Sequence, residues 1–551
     1  MRLRKSHDGI TLNVVAGTSA VLFSIDMLES DTSDLLGFYI RKVNLKDLQK
    51  AYDITSSKHF PDTPKTIDGK YNTKDNPWQS FLWEDFYISY EGEYEYFFTA
   101  VTGTPENLRY DRTISIKIKI PSVSDSEHEV YFNRGVAGSQ AYAREFKNVK
   151  PSNMSAEKKA AALKWLSKGL KEALIGFIEQ AKNEEWSLRC CFYEFIYPDV
   201  LEAIKAAHDR GVDIKVIYDS RHEAEKNDKA INKAQLDRKI LIRRTSDPDY
   251  LQHNKFMMLS KNNVPQAVWL GSTNITEKAI FGHCNVGHIV RNKDIALKYL
   301  QYWDCLSTDP LNEKARNGSI AIQADLETIP DGITTFFSPR PKQGVLKLYS
   351  SLITQSNQLV CGMFPFSFSK YIKASITSET DNLKYIIIDK KDKNTSLITT
   401  DRDNVIVYGG RYENPLYDWA SETFSAELFY SGVNYIHNKV ILIDPLSENP
   451  IVITGSANFS ENSVLHNDEN TLIIKGNKDV ADLYFTEFLR IFNHYSTRQD
   501  TKKMVDQNIQ TNYNPSHLRT NPQEWTKSFF YQNALKYKRR KMFSNMNAIE
   551  L

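Results

Sequence analysis

The sequence predicts an α/β protein with two duplicated α/β lobes that form a pseudo-dimer, preceded by an all-β sandwich domain. Three observations lead to this fold class. A short polar motif occurs twice with the same internal spacing, and each copy lies within the same order of strands and helices. The first 120 residues are instead rich in aromatic and β-branched residues separated by turn-forming ones. The length of 551 residues allows three or four domains of about 150 residues each.

Residues 1–120 are expected to form an antiparallel β-sandwich. Strands are predicted at four aromatic runs: Gly37 to Lys42, Asp85 to Tyr90, Tyr94 to Val101 and Thr113 to Ile120. The segment from Trp83 to Val101 resembles the latter half of a fibronectin type III-like domain, and another β-sandwich of the same size explains the runs equally well. Sandwiches of this kind recognise or dock partners, so this domain is a candidate site for a protein partner and has no predicted chemistry.

The two lobes follow a linker predicted over residues 121–150. The first lobe is expected over 151–310 and the second over 311–500. A helix from Ala156 to Ala181 begins the first lobe, because leucines and one phenylalanine recur there at intervals of three and four residues. Strands and helices then alternate, which is the order of an α/β layer.

The second lobe repeats this order, including the approach to its last helix. The residues before the closing helices are Asn292-Lys293-Asp294 and Asn477-Lys478-Asp479. The helices themselves are predicted from Ile295 to Leu306 and from Val480 to Phe492. Whole lobes are therefore duplicated, and the functional centre is expected where they meet.

The repeated motif has two parts in a fixed register. The first copy is His253-Asn254-Lys255 followed by Gly271-Ser272-Thr273-Asn274, and the second is His437-Asn438-Lys439 followed by Gly455-Ser456-Ala457-Asn458. In both copies the glycine comes 18 positions after the histidine. Apolar runs flank each part, which places the motifs on strand–turn–strand frames.

These residue types suit the cleavage of a phosphodiester. A histidine can act as a nucleophile or carry a proton near neutral pH. Lysine and asparagine side chains supply donors for phosphate oxygens. Two such sets facing each other would form a phosphodiester-cleaving centre without a metal ion or a cofactor. The alternative is a duplicated scaffold whose surface turns keep His and Lys, although a scaffold needs only its apolar strands repeated.

The motifs resemble those of the phospholipase D superfamily, which has paired His-x-Lys-x4-Asp motifs, each followed by Gly-Ser-x-Asn. The second copy fits fully, with Asp444 in the acidic position, whereas Ser260 stands there in the first. The family also has an acidic residue that accepts a hydrogen bond from the catalytic histidine. In this sequence Glu469 follows His437 at the same spacing at which Asn285 follows His253. The resemblance covers roughly residues 150–500.

The resemblance implies two phospholipase D-like lobes and a reaction through a phosphohistidine. His253 is expected to be the nucleophile and His437 the acid, with Glu469 raising the pKa of His437 and Asn285 lying beside His253. Donors to the phosphate oxygens are expected from Lys255, Lys439, Asn274 and Asn458. Supporting roles are assigned to Asp444, Ser272, Ser456, Asn285 and Ser260. The nearby His283, His288 and His466 are interpreted as structural.

Residues 501–551 form a predicted basic, aromatic tail. The run Lys538-Arg539-Arg540-Lys541 is flanked by Phe529, Phe530, Tyr531, Tyr537 and Phe543. Basic residues among aromatic ones are typical of nucleic-acid contacts, although such a run is more often a solvated helix face. The net charge of +2 means that any polyanion site depends on local clusters of this kind.

A nuclease cleaving DNA or RNA is the favoured function. Two alternatives remain: a soluble phospholipase D acting on phospholipid headgroups, and a binding module whose first lobe is degenerate. A cytoplasmic location is expected, because five cysteines including Cys190-Cys191 do not suggest a disulfide framework. No run reaches the roughly 18 apolar residues of a membrane helix. The stretch from Ile10 to Met27 is interpreted as two strands rather than part of a signal peptide.

Overall fold

The fold was analysed in a computed structural model. It describes residues 1–67, 69–123, 126–135, 142, 145–147, 149–366, 368–389, 404–409, 436–506 (only the backbone at 497–506), 514 and 516–551. Parts of the predicted linker and of the basic tail lie outside these residues. Three short 3-10 helices are described, at Glu29–Thr32, Pro151–Asn153 and Arg238–Ile240.

The N-terminal domain consists of two β-sheets. Its strands are β1 (Arg2–His7), β2 (Ile10–Ala16), β3 (Val21–Asp26), β4 (Leu35–Asn44), β5 (Ala51–Asp53), β6 (Thr55–Ser56), β7 (Tyr71–Asn72), β8 (Leu82–Asp85), β9 (Glu93–Thr104) and β10 (Asn107–Lys119). One sheet has the order β1-β2-β3-β8 and the other β10-β9-β4-β5, while β6 and β7 form a separate pair. Aromatic side chains such as Phe23, Trp83 and Phe98 fill the space between the two larger sheets. The prediction of an N-terminal all-β domain is confirmed.

The strand predicted from Asp85 to Tyr90 is wrong, because β8 ends at Asp85. The Asp85 carboxylate accepts a hydrogen bond from the backbone N–H of Tyr87 at 2.8 Å, which turns the chain away from the sheet. The same carboxylate lies 2.6 Å from the Lys42 ammonium and accepts a hydrogen bond from the Tyr96 hydroxyl. The aromatic pattern predicted a strand, and this buried polar network ends it.

The first lobe has a seven-stranded sheet. Its strands are β11 (His128–Phe132), β12 (Trp186–Phe192), β13 (Asp213–Asp219), β14 (Leu241–Arg244), β15 (Lys255–Lys261), β16 (Val264–Gly271) and β17 (Val286–Val290). Its helices are α1 (Ala156–Ser167), α2 (Leu170–Glu179), α3 (Pro198–Asp209), α4 (Ala224–Ala234), α5 (Glu277–Phe281) and α6 (Lys293–Ser307). The strand order is β11-β17-β16-β15-β12-β13-β14, with β12, β13 and β14 parallel to one another.

The second lobe has a sheet of matching order. Its strands are β18 (Gly332–Ser338), β19 (Leu359–Phe364), β20 (Leu383–Ile388), β21 (Asn404–Tyr408), β22 (Val440–Ile443), β23 (Ile451–Gly455) and β24 (Glu469–Lys475). Its helices are α7 (Asn312–Ile322), α8 (Gly344–Thr354), α9 (Lys370–Thr377), α10 (Glu461–Leu465) and α11 (Lys478–Asp506). The order β18-β24-β23-β22-β19-β20-β21 repeats that of the first sheet. The predicted duplication of α/β lobes is confirmed.

Two boundaries in the first lobe differ from the sequence prediction. The helix expected from Ala156 to Ala181 is two helices, because Lys168 and Gly169 adopt left-handed backbone conformations with φ of 47° and 88°. The residues predicted as a linker include β11, an edge strand of the first sheet that pairs antiparallel with β17. The apolar periodicity continues across the helix break and so did not reveal it.

The helices α6 and α11 join the two lobes. Both begin after a capping asparagine: Asn292 accepts hydrogen bonds from the backbone N–H groups of Asp294 and Ile295, and Asn477 accepts one from Val480. Their apolar side chains form one buried cluster with the inner faces of both sheets. This shared core makes the two lobes a pseudo-dimer.

The C-terminal residues pack against the sandwich domain. Helix α12 (Pro522–Phe530) contributes Trp525 and Phe529 to its core, α13 (Leu535–Ser544) follows with Met542 and Phe543 in the core of the lobes, and a short strand at Ile549–Glu550 pairs parallel with β1. In the predicted basic run, Arg540 is buried and lies 3.1 Å from Asp26. Part of the tail's charge and aromatic surface is therefore used in packing. No helix within the described segments combines the length and apolarity needed to cross a membrane.

Candidate active site

The two histidine motifs lie where the lobes meet. His253 precedes β15 and His437 precedes β22, so both stand at the start of a central strand. Each motif is attached to the opposite lobe by a parallel β-bridge, Gln252 with Asp468 and Cys284 with Ile436. The two bridges are equivalent: Gln252 and Ile436 are as far apart in the sequence as His253 and His437, and so are Cys284 and Asp468. The pseudo-twofold axis therefore passes between the two histidines.

The bridges determine which carboxylate or amide lies beside each histidine. Gln252 pairs with Asp468, so the next residues of the two segments, His253 and Glu469, are neighbours as well. Nδ1 of His253 lies 3.0 Å from the Glu469 carboxylate. By the same geometry, Nδ1 of His437 lies 2.9 Å from the amide oxygen of Asn285. The expected pairing of Glu469 with His437 and Asn285 with His253 is wrong. Glu469, which follows His437 along the chain, contacts the histidine of the first lobe, and Asn285, which follows His253, contacts the histidine of the second lobe.

Both partners of the histidines are held by further hydrogen bonds. The second oxygen of Glu469 accepts from the Ser463 hydroxyl at 2.6 Å and from the Asn467 amide at 3.2 Å. The Asn285 amide donates to the Ala279 carbonyl at 2.8 Å, and its oxygen accepts from the Ser272 hydroxyl at 2.8 Å. These contacts turn the oxygen of Asn285 toward His437. Both histidines therefore carry a proton on Nδ1 and leave Nε2 free for chemistry.

The two lysines have equivalent positions. Lys255 donates a hydrogen bond to the carbonyl of His253 at 2.5 Å, and Lys439 donates to that of His437 at 2.8 Å. Both ammonium groups are buried, which lowers the pKa of Lys255 to about 7 and holds that of Lys439 well below its usual value. Buried cations of this kind favour binding of an anion.

The environment also disfavours the charged form of both histidines. Burial, assisted by the Lys255 ammonium, lowers the pKa of His253 to about 4, although Glu469 opposes the shift. Burial and the Lys439 ammonium hold the pKa of His437 well below its usual value, and the group at its Nδ1 is the neutral amide of Asn285. A phosphate anion between the lysines would raise both pKa values by the opposite electrostatic effect.

The Gly-Ser-x-Asn turns bring their residues to the same centre. Gly271 and Gly455 have φ of 143° and 146°, and a Cβ on Gly271 would lie 2.2 Å from the carbonyl oxygen of Val286. Only glycine permits this close approach of two strands. The amide oxygens of Asn274 and Asn458 are buried and lack hydrogen-bond partners within the described residues. Both asparagines are thus available to a bound molecule.

The serines and the middle asparagines connect the lobes. The Ser272 hydroxyl, whose single hydrogen also faces Asn285, lies 3.0 Å from the amide oxygen of Asn438 across the interface. In the other direction, Asn470 donates to Asn254 at 2.9 Å and to Ser456 at 3.2 Å. These buried amide pairs fix the position of each motif relative to the other.

Asp444 and Ser260 lie away from this centre. Asp444 follows the end of β22, at the opposite end of the strand from His437. Its carboxylate accepts hydrogen bonds from the backbone N–H groups of residues 357–359 and from the Ser356 hydroxyl. Ser260 is close to the corresponding end of β15 and donates to the sulfur of Met258 at 3.2 Å. The acidic position of the motif therefore orders a loop in the second lobe, and the first lobe lacks this connection.

Several residues of the site were missed from the sequence. Tyr193 packs edge to face on His253, and the carboxylate of Glu194 accepts a hydrogen bond from the Asn274 amide. Phe366 lies in the second lobe, with its ring 6.0 Å from the Lys439 ammonium. Both Tyr193 and Glu194 directly follow β12, which ends beside Lys255. The sequence pattern that could have identified these two residues is a pair of polar side chains just after the end of a buried strand.

A buried ion-pair group also links the lobes beside the site. Asp468 lies 3.0 Å from Arg221 and 2.9 Å from Arg244, and Arg244 also contacts Asp309. Within the described ranges, no three His, Cys, Asp or Glu side chains are grouped as a metal site.

Comparison with known proteins places the same two regions in one family. The family described as "Cardiolipin synthase, PLD-like domain" matches residues 174–306 and 351–492, which are the two lobes. No curated protein matches the sequence.

The similar solved structures include the following three. Phosphatidylserine synthase from Haemophilus influenzae is 14% identical, with a TM-score of 0.41 over 62% of this chain and 91% of that one. Polyphosphate kinase from Porphyromonas gingivalis is 11% identical, with a TM-score of 0.37 over 57% of this chain and 46% of that one. The chain thus covers less than half of that kinase. The phospholipase D family member Nuc from Salmonella typhimurium is 27% identical, with a TM-score of 0.21 over 24% of this chain and 84% of that one.

Proposed function

The chain belongs to the phospholipase D superfamily, and on that premise we propose that it is a phosphodiesterase that works without a metal ion, through a phosphohistidine. One observation carries the proposal. Two histidines from opposite lobes each have Nδ1 beside a fixed acceptor, which leaves Nε2 free, and two buried lysines are close enough to lower the pKa of both.

His253 is proposed as the nucleophile, as it was from the sequence, but the reason is now its contact with Glu469. Its Nε2 attacks phosphorus, and the bond to the leaving oxygen breaks with its electron pair on that oxygen. The imidazole becomes cationic when the N–P bond forms, and the Glu469 carboxylate at Nδ1 stabilises this charge. At its Nδ1, His437 contacts the neutral amide of Asn285 and does not need to carry a lasting charge.

His437 is proposed as the acid and later the base. A bound phosphate raises the pKa of His437, so that its Nε2 is protonated as well as its Nδ1, and this Nε2 proton passes to the leaving oxygen in the first step. In the second step, water attacks phosphorus, the N–P bond to His253 breaks, and a proton from the water returns to His437. The lysine ammonium groups and the amide N–H groups of Asn274 and Asn458 donate to the non-bridging oxygens, where negative charge builds up.

We propose a nucleic acid as the substrate, supported by a basic surface between the sandwich and the tail. This surface consists of Lys58, Arg519, Lys536 and Arg539. Burial lowers the pKa of Lys58, and the neighbouring Lys536 and Arg519 lower it further. The pKa of Lys536 is lowered by burial and by Arg539 and Arg519. Cations crowded in this way release counterions when a polyanion binds, which favours binding of a nucleic-acid backbone.

A phospholipid is the second candidate. The Phe366 side chain is 45% exposed beside Lys439, where it could contact an acyl chain or glycerol backbone. The matching family is described by its cardiolipin synthase members, which fits a lipid phosphodiester.

The test incubates the purified protein in EDTA with plasmid, single-stranded DNA, RNA and phosphatidylcholine vesicles. Nucleic-acid cleavage that persists in EDTA and disappears in His437→Ala supports the proposal. A Lys58→Ala/Lys536→Ala double variant should lose nucleic-acid cleavage while retaining hydrolysis of a small phosphodiester. Headgroup release from vesicles alone would favour the lipid. Absence of all turnover, with nucleic acid still bound, would support a binding module.

A further inference from the structure

A third histidine packs beside His437, and its ring has no hydrogen-bond partner among the residues that the structure describes. The ring of His283 lies edge to face against that of His437, with centroids 5.3 Å apart. Both of its ring nitrogens are buried, and neither has a hydrogen-bond partner within the described residues. His283 was interpreted as structural from the sequence, but a structural histidine is expected to have its nitrogens paired.

The backbone of His283 is firmly held. Its carbonyl accepts a hydrogen bond from the Asn133 amide at 2.7 Å, and its N–H donates to the Lys278 carbonyl at 3.0 Å. Gly135 packs so closely that a Cβ there would lie 2.2 Å from the His283 carbonyl carbon. The ring is therefore placed beside His437 by the fold.

The pseudo-twofold symmetry shows how this position differs between the lobes. The matching position of the second lobe holds Asn467, which donates a hydrogen bond to Glu469 at 3.2 Å and accepts one from the N–H of Leu251. Asn467 thus supports the carboxylate beside His253. In the first lobe that carboxylate is replaced by Asn285, whose amide is already satisfied by Ala279 and Ser272. An imidazole therefore replaces the supporting amide in the lobe that lacks the carboxylate.

A buried imidazole without a partner destabilises a protein, because its nitrogens lose their hydrogen bonds to water and gain none in the fold. A molecule bound at the centre, beside the ring of His437, would remove this penalty. In its neutral form, an imidazole offers one N–H donor and one nitrogen acceptor. Burial, with Lys439 and Lys278 adding to the effect, lowers the pKa of His283 to about 4, so the neutral form predominates near pH 7.

We propose that His283 is a further catalytic residue, which contacts the oxygen that leaves in the first step and the water that enters in the second. This inference rests on the proposed function. Both oxygens occupy the same side of phosphorus, opposite His253. The N–H of His283 donates to the leaving oxygen as its P–O bond breaks, and the other nitrogen accepts a hydrogen bond from the incoming water. His283 itself neither gains nor loses a proton.

The first test replaces His283 with the residue of the matching position, His283→Asn, and uses two small phosphodiesters. With an alkyl leaving group, kcat should fall about 10- to 100-fold, the scale of one positioned hydrogen-bonding group. With a p-nitrophenyl leaving group, which needs little help to depart, the fall should be much smaller. His208→Asn on the outer helix α3 is the control and should leave both rates unchanged. Equal losses with both substrates, or no loss, would overturn the proposal.

A second readout does not need turnover. Orthovanadate, a mimic of the five-coordinate phosphoryl group, should bind the wild type at least about tenfold more tightly than His283→Asn. Equal affinities, or no vanadate binding, would overturn the role of His283. A wild type that binds vanadate but cleaves no phosphodiester would instead overturn the proposed function. The melting temperature of His283→Asn should be unchanged or higher, whereas a structural role predicts a decrease; His283→Gln repeats the comparison if His283→Asn does not fold.

Discussion

The carboxylate of Glu469, in the second lobe, accepts a hydrogen bond from Nδ1 of His253, in the first lobe, at 3.0 Å. Each lobe therefore supplies the group that orients the other lobe's histidine. The exchange makes the centre asymmetric, because His253 gains a carboxylate and His437 gains only the Asn285 amide. A duplicated fold has in this way given its two histidines different electrostatic surroundings.

The first prediction concerns Glu469→Gln. Since Glu469 raises the pKa of His253 against the effect of burial, its removal should lower that pKa further. A neutral nucleophile then persists to lower pH, so the acid limb of the kcat/KM profile should move to lower pH. The maximal rate should fall about 10- to 100-fold, because the cationic phosphohistidine loses its counter-charge. The measurement is a pH–rate profile of both proteins.

Asn285→Asp provides the reciprocal variant. A carboxylate beside Nδ1 of His437 should raise its pKa, and the alkaline limb, where the acid loses its proton, should move to higher pH. The surface variant Glu448→Gln serves as the control and should move neither limb. If Glu469→Gln shifted the alkaline limb instead, Glu469 would be supporting the acid, and the two roles would be reversed.

The second prediction identifies the nucleophile directly. After a quench that preserves acid-labile bonds, labelled substrate should leave its label on His253. More label should accumulate in His437→Asn, which lacks the group that activates water. Peptide mapping of the quenched protein gives the position. Label on His437 would reverse the assignment, while a complete absence of label in both proteins would argue against a covalent intermediate.

The sequence predicted the lobes and both motifs because these depend on local pattern. A run such as Val440-Ile441-Leu442-Ile443 specifies a buried strand wherever it occurs, and the fixed spacing from His437 to Gly455 specifies a strand–turn–strand frame. The shared positions of Asn292 and Asn477 likewise predicted two capped helices.

The pairing across the lobes could not be predicted in the same way. Sequence spacing does not decide which histidine Glu469 contacts, and only the bridge between Gln252 and Asp468 does. The burial of Arg540 depends in turn on Asp26, at the other end of the chain. Both are contacts between distant segments, for which residue spacing carries no information.

The third prediction concerns the ion pairs that join the lobes. Asp468 is buried and contacts both Arg221 and Arg244, so Asp468→Asn leaves two buried guanidinium groups without a full counter-charge. The free energy of unfolding should fall by about 3–5 kcal/mol, as for other broken buried pairs. Urea unfolding measures it. The exposed pair of Asp331 with Lys475 offers the control, since Asp331→Asn should leave the midpoint unchanged. Equal midpoints for both variants would contradict the role given to Asp468.

The last prediction is that the active-site lysines destabilise the fold. Lys255 is buried with a pKa of about 7, against about 10.4 for an unfolded lysine. Between these two pH values the unfolded chain binds more protons than the folded one, so this group makes stability rise with pH. Below pH 7 its full penalty applies. In Lys255→Met the pH dependence over this window should become flatter.

At pH 7, Lys255→Met should also be more stable than the wild type by about 1–4 kcal/mol, the range for replacing buried charged groups by apolar ones. The methionine can pack on the Tyr193 ring that Lys255 now faces at 5.4 Å, and activity should be lost. Lys261→Met, at the other end of β15 and 45% exposed, is the matched control and should change neither stability nor activity. Urea unfolding at several pH values between 7 and 10 measures both effects. A less stable Lys255→Met, or one with the wild-type pH slope, would mean that Lys255 is compensated within the fold and not held for a bound phosphate.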